Sequence, residues 1–355
     1  MISESHGNLL ESDVEALVNT VNTVGVMGKG IALQFRRAFP AMFKEYERAA
    51  KHGDIQLGRM HVWQTDAMSG PKWIINFPTK GNWRAKSKLV DIEAGLADLV
   101  AVVRSLGIRS IAVPPLGCGN GGLQWHEVAP RIEKAFAELP EVDVRVFPPE
   151  ATPAAAAMRT NSPRPKWTVG KAALVDLVDS YAGRALEVSL IEVQKLMYFL
   201  QVAGEPLNLK YTKGIYGPYA ENLRHSLKSV EGHFLVGFGD GSRPVLSAEP
   251  IDVLPNAAVE ARAFLAEHPA TMTRIERVLE LSEGFESAYA MELLSTVHWV
   301  VTEQGSDGAE DPERAARLVA QWSPRKQRMF GPDHVSTAWD HLHDGGWLRA
   351  TVPTQ

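Results

Sequence analysis

The stretch Asn19 to Phe35, N-T-V-N-T-V-G-V-M-G-K-G-I-A-L-Q-F, constrains the first part of the chain more than any other. An apolar strand, Ala16-Leu17-Val18, passes through Gly25, Gly28 and Gly30 into Ile31, Leu33 and Phe35, a run that reads as helical. Glycines there let backbone N–H groups approach a ligand closely, and the positive end of the following helix favours anions, so the turn reads as a phosphate cradle. Two common nucleotide motifs do not fit. A Walker loop needs a glycine five positions before Gly28 and Ser or Thr after Lys29, where Thr23 and Gly30 stand, and a dinucleotide fingerprint needs a small residue where Leu33 stands.

Strands and helices alternate from there. The opening I-S-E-S-H reads as a short strand ending near Gly7, Ile31 to Phe39 as a helix, and Pro40 to Ala50 as a second with Gly53 as its stop. G-R-M-H-V-W-Q-T and K-W-I-I-N-F-P read as strands by their β-branched and aromatic content. Leu89, Ile92, Leu96, Leu99, Val103 and Leu106 recur at steps of three and four, predicting a helix with Ser87 as its cap and Gly107 as its end. Arg109 to Pro115 is a buried-type strand feeding a second glycine loop, Trp125 to Leu139 a helix and Val142 to Phe147 a last strand. The fold class is therefore α/β, a mixed, mostly parallel sheet with helices on both faces. Ligands in such sheets sit outside the strand carboxyl ends, where both glycine loops and the Pro78 to Arg84 turn fall.

A chain of 355 residues has room for two domains. Pro148 to Lys166 is rich in proline, alanine and small polar residues and reads as a linker, so the expected boundaries are 1–150, a linker at 151–166, and a mainly helical domain at 167–355. Its expected helices are Ala172 to Tyr181, Leu190 to Val202, Pro218 to Leu227, Ala257 to Ala266, Thr271 to Leu281 and Glu286 to Val301, with shorter pieces to Leu342. Residues 1–150 carry no net charge and residues 165–355 carry −7, which suits a basic partner for the second half and equally suits plain solubility. One cysteine excludes a disulfide framework, and no apolar run nears the ~18 residues of a membrane span, so a cytoplasmic protein without a membrane partner is expected.

Asn19 and Asn22 with G-V-M-G-K-G-I-A, together with P-L-G-C-G-N-G-G-L-Q-W at Pro115 to Trp125, resemble the two ligand loops of a macrodomain, the ADP-ribose-binding α/β module. The likeness covers roughly residues 1 to 150. Within macrodomains, the first loop and F-P-T-K-G-N-W-R, Phe77 to Arg84, look like the DarG-type antitoxins. That resemblance implies removal of ADP-ribose from DNA, with thymidine in single-stranded DNA as the modified base, although no sequence feature identifies the base. It also implies that the second domain binds a DarT-type toxin; V-Q-K-L-M-Y-F-L-Q and K-G-I-Y-G-P-Y-A-E-N-L look distantly like the helical Panacea-type domains of antitoxins. Two alternatives stay open: hydrolysis of protein-linked ADP-ribose, and a non-catalytic ADP-ribose reader. No cofactor is expected.

By this resemblance the ligand-binding residues are Asn8, Asn19, Asn22, Gly28, Lys29, Gly30, Ile31 and Thr79, with Leu116, Gly117, Cys118, Gly119, Asn120, Gly121 and Gly122 from the second loop. Lys80, directly after a strand end, matches the lysine that deglycosylating macrodomains of this class use. A neutral amine there could attack the anomeric carbon, whereas a protonated one could only polarise the bond or hold a phosphate. Relatives that pair this lysine with an acid carry aspartate where Gly121 stands, so the source of any acid is open. Asn8 stands where the family places an adenine-binding aspartate, or is a turn asparagine. Asn22 either orients the ribose or satisfies its own loop, and the loop reading stands open for Asn19 as well.

Cys118 reads as a small loop residue, with no Cys-His pair nearby. His341 and His343, two apart, share no helix face, and no metal is expected. Trp83, Arg84, Lys86 and Lys88 are candidate DNA contacts. Cations at a helix start oppose its dipole by about 0.3 to 1 kcal/mol each, a cost that phosphate contacts and base stacking would offset; a solvated loop with Trp83 on the core is the plain alternative. Glu276, Glu280 and Glu283, spaced by four and three, could line one helical face in the manner of backbone phosphates, or be its solvated side.

Overall fold

The computed structural model describes residues 1–65, 70–150, 152–303 and 311–348. In chain order the first part contains β1 (Ile2–Glu4), β2 (Ala16–Asn22), α1 (Gly30–Ala38), α2 (Pro40–His52), β3 (His61–Gln64), β4 (Trp73–Lys80), α3 (Leu89–Leu106), β5 (Ser110–Val113), α4 (Trp125–Phe136) and β6 (Asp143–Val146). The strands form one sheet in the order β1-β6-β5-β2-β4-β3, with β3 antiparallel to β4 and every other pair parallel.

Strand β2 is buried along almost its whole length because helices cover both faces of the sheet. Alternate strand residues point to opposite faces. Ala16 and Val18 pack with Ile75, Phe77 and Ile111 against Ile92, Leu96 and Leu99 of α3 and Val128 and Ile132 of α4. Leu17 and Val21 pack with Ile74 and Ala112 against Phe35 of α1 and Met42 and Tyr46 of α2. From β2 the chain crosses to β4 on one side, then from β4 to β5 on the other side of β2. That reversal opens a crevice at the carboxyl ends of these three strands, where ligands of such sheets bind.

The expected helix from Leu89 is present, with Gly107 at its carboxyl cap in the left-handed region. Its start differs: Lys88 occupies the cap position without a side-chain bond, and Ser87 is turned into the second glycine loop, its N–H donating to the Gly121 carbonyl at 3.0 Å. Ser87 is not a helix cap because its hydroxyl is buried against Gly117 and Gly121.

Contacts divide the chain into two compact units: Met1–Pro163 with Asp240–Ser242, and the chain from Arg164 onward apart from that segment. Residues read as a linker therefore group with the first unit as far as Pro163. Asn161 donates from its backbone to the Arg37 carbonyl and from its side chain to the Ala38 carbonyl, both at 2.9 Å. Ala151 of that stretch lies outside the described residues.

The second unit is mainly helical: α5 (Val169–Ala182), α6 (Leu190–Val202), a hairpin of β7 (Tyr211–Gly214) and β8 (Gly217–Ala220), α7 (Leu223–Val230), and the short strands β9 (Leu235–Val236) and β10 (Asp252–Val253). Then follow α8 (Ala257–Leu265), α9 (Pro269–Ser282), α10 (Ala288–Glu303), α11 (Pro312–Trp322), α12 (Pro324–Met329) and α13 (Pro332–Asp344). The expected helix from Pro218 to Leu227 is corrected: Gly217 and Pro218 begin a strand that pairs back on β7, and the helix starts only at Leu223. Buried charge holds this hairpin's base. Lys195 of α6 donates to the Pro218 carbonyl at 2.6 Å, and Lys326 of α12 donates to Glu292 at 2.5 Å and Thr296 at 2.9 Å. Burial lowers Lys195 to about 7 and Lys326 to about 8.

Glu276 and Glu280 are exposed on α9, but Glu283 lies one residue past its end, with its carboxylate on Arg184 at 2.9 Å. The three carboxylates do not form one ladder on one helix. No helix among the described residues is long and apolar enough to cross a membrane.

Candidate functional site

Three loops meet at the carboxyl ends of β2, β4 and β5. Lys80 is the last residue of β4, and its amine donates to the Asn120 carbonyl at 3.1 Å and the Trp83 carbonyl at 3.3 Å. Both partners are neutral backbone oxygens. Partial burial pulls the Lys80 pKa below the ordinary lysine value, because a cation loses hydration there. The first loop closes on the same point: the Thr23 N–H donates to the Lys80 carbonyl at 3.2 Å, and the Thr23 hydroxyl to the Gly81 carbonyl at 2.5 Å. Gly30, the first residue of α1, has φ +62° and faces Asn120, whose amide nitrogen would lie 3.4 Å from a Cβ at that position. Lys80, Asn120 and the exposed N-terminus of α1 therefore border one space.

The remaining expected residues divide into groups. Gly28 and Ile31 are partly exposed and Lys29 exposed, at the mouth of the first loop. Thr79 is buried, its hydroxyl donating to the Val21 carbonyl at 3.3 Å. In the second loop Leu116 and Gly117 are buried, Cys118 half-buried, and Gly119, Asn120 and Gly122 exposed. Burial raises the Cys118 thiol to about 11, which removes it as a thiolate near neutral pH. Gly121 is buried, and a Cβ there would lie 2.2 Å from Ser87 Oγ and 2.4 Å from the Gly117 carbonyl oxygen.

Asn22 organises its own loop. Its Oδ1 accepts from Val24 N at 3.1 Å and Val26 N at 3.2 Å, its Nδ2 donates to the Val26 carbonyl at 2.6 Å, and the Tyr46 hydroxyl donates to its backbone carbonyl. Asn19 is fully buried inside the sheet, its amide nitrogen donating to Asn76 Oδ1 at 2.8 Å and to Met27 Sδ of the first loop at 3.8 Å, so it supports that loop from beneath. Asn8 Oδ1 caps a short turn by accepting from Leu10 N at 3.1 Å. It also lines a cavity of about 460 Å³ with His6, Glu11, Asp13, Arg145 and Phe147, at the carboxyl ends of β1 and β6. That cavity and Lys80 lie on one edge of the sheet, with three strand spacings, ~14 Å, between β6 and β4. An extended ligand can bridge them.

Trp83 is 52% exposed, with the Arg84 guanidinium 4.4 Å from its ring centre, so it is not on the core. Arg84, Lys86 and Lys88 are exposed beside it. Sequence reasoning gave no site role to Thr23, Tyr46 or Ser87, which fix the loops. Only a hydroxyl in a glycine-rich stretch would have pointed to Thr23. Among the described residues, no group of three or more His, Cys, Asp or Glu is placed to hold a metal.

The macro domain family model matches residues 18–132. Over 354 residues the chain is 45% identical to the DNA ADP-ribosyl glycohydrolase of Mycobacterium tuberculosis, which spans 96% of this chain and 99% of that protein. Over 163 residues it is 34% identical to a DNA ADP-ribosyl transferase-DNA ADP-ribosyl glycohydrolase fusion protein of Thermosipho africanus, 42% of each chain. Among solved structures it is similar to the macrodomain of Mycobacterium tuberculosis DarG, 59% identical over 42% of this chain and 99% of that one, with a TM-score of 0.42.

Proposed function

The chain belongs to the DNA ADP-ribosyl glycohydrolases, the DarG-type macrodomain family, and on that premise we propose that it removes ADP-ribose from a modified base, thymidine, in single-stranded DNA. The observation that carries the reading is the Lys80 amine, held by two backbone carbonyls at the mouth of the crevice with its pKa lowered. A neutral amine has two N–H donors and one lone pair. Two carbonyl acceptors occupy both donors and leave the lone pair as the remaining direction, which suits attack on carbon.

In this reading the diphosphate rests at the N-terminus of α1, near Gly28, Lys29 and Gly30, and the adenine end reaches the cavity at Asn8. The Lys80 nitrogen bonds to the anomeric carbon of the distal ribose as the bond to the base nitrogen breaks. The base takes the bonding pair and receives a proton from the lysine nitrogen. Opening of the ribose ring gives an imine to Lys80, and water hydrolyses it, returning the amine and releasing ADP-ribose. No side chain stands at Gly121 to act as acid, so the proton delivered to the base comes from the attacking nitrogen itself.

Release of ADP-ribose from a modified single-stranded oligonucleotide is the test. Turnover on ADP-ribosylated protein with none on DNA would replace the substrate, and tight ADP-ribose binding with no release from either would make the chain a reader.

For the second unit the reading is capture of the cognate transferase toxin inside the cytoplasm. A DNA-modifying enzyme needs a cationic surface, which a partner of net −7 over residues 165–355 complements. The fusion protein of Thermosipho africanus, which carries both activities by name, supports the pairing. Pull-down of toxin by the full chain, weakened by salt, tests it; salt-insensitive binding or none would count against charge complementarity.

A further inference from the structure

Trp83 combines two properties in one residue. Its carbonyl accepts from the Lys80 amine at 3.3 Å, while its indole is more than half exposed with a guanidinium stacked on it. The turn between them is fixed. Asn82 Oδ1 accepts from Arg84 N at 2.8 Å and Ala85 N at 3.0 Å, and Thr23 holds the Gly81 carbonyl. Anything flat that docks on the indole is therefore placed at a set offset from the amine.

Resting on the glycohydrolase reading above, we infer that Trp83 determines the leaving group: it takes the departing nucleobase by stacking, and so selects base-linked over protein-linked ADP-ribose. Every nucleobase has a π-face for an indole, and an amino-acid carboxylate or hydroxyl has none. The same contact orients the breaking bond toward Lys80, so its effect falls on turnover more than on ground-state binding, because alignment matters most where the bond breaks.

The experiment measures kcat and KM of the full chain and of its Trp83→Ala and Trp83→Phe variants on an ADP-ribosylated single-stranded oligonucleotide and on an ADP-ribosylated peptide. Wild type should prefer the oligonucleotide. Trp83→Ala should lower kcat on it about tenfold or more with a smaller change in KM, and shrink the preference for DNA. Trp83→Phe should restore most of both. A Trp83→Ala variant that keeps the preference for DNA, or one that changes only KM, would overturn the inference while leaving the glycohydrolase reading intact. Absence of release from the oligonucleotide by wild type would overturn both.

Discussion

Ser87 Oγ stands where a side chain on Gly121 would have to go, 2.2 Å from the Cβ position of that residue. Real Cβ atoms do not approach so closely, and the Gly117 carbonyl at 2.4 Å closes the other side. An aspartate at 121 therefore cannot enter without moving the loop that carries the Asn120 carbonyl. Gly121→Asp should lose ADP-ribose affinity and about 1 to 3 kcal/mol of stability, instead of gaining rate from a new acid. Adding Ser87→Gly should return only part of the loss. Calorimetric titration with ADP-ribose and thermal unfolding read both, and a Gly121→Asp variant as active as wild type would contradict the geometry.

The pH dependence follows from the direction of the Lys80 shift. Burial lowers its pKa from the ordinary lysine value, so the neutral amine is more abundant near neutrality than on a free lysine. Since attack requires that form, kcat should rise with pH through the lowered pKa and level off above it. A rate that falls over that range would assign Lys80 a cationic role.

Glu292 is the carboxylate on which both Lys326 and Arg325 converge, with the neighbouring Lys195 also buried. Removing it leaves buried cations without compensation. Glu292→Ala should destabilise the helical unit by about 3 to 5 kcal/mol, seen in denaturant unfolding of the full chain, with a smaller loss for Glu292→Gln. A change under about 1 kcal/mol would mean that water reaches the cluster.

Much of the first unit was legible because its strands and helices carry strong local signals. The three and four residue steps from Leu89 to Leu106 can bury one helical face only, and Gly107 stops the helix where the pattern ends. Both glycine loops and the turn that carries Lys80 lie at strand carboxyl ends, as the parallel-sheet rule expects, whereas the role given to Lys80 came from the family resemblance. What was not legible depended on contacts distant in sequence. Asn19 and Asn22 look alike in the same loop motif, yet the strand carries one into the sheet interior and the other to its end. Ser87 has the residue type of a helix cap, but the second glycine loop, more than thirty positions later, takes its place in the packing. The Gly217-Pro218 pair resembles a helix start until the pairing with Tyr211 to Gly214 is known.

The central claim is that the Lys80 amine performs the release. Its most direct measurement is single-turnover release of ADP-ribose from a modified single-stranded oligonucleotide by wild type and by Lys80→Ala, alongside ADP-ribose affinity. The account predicts a fall in rate of at least about a hundredfold with affinity nearly kept, and a borohydride-trapped adduct on Lys80 in wild type alone. Release by Lys80→Ala at the wild-type rate would contradict it.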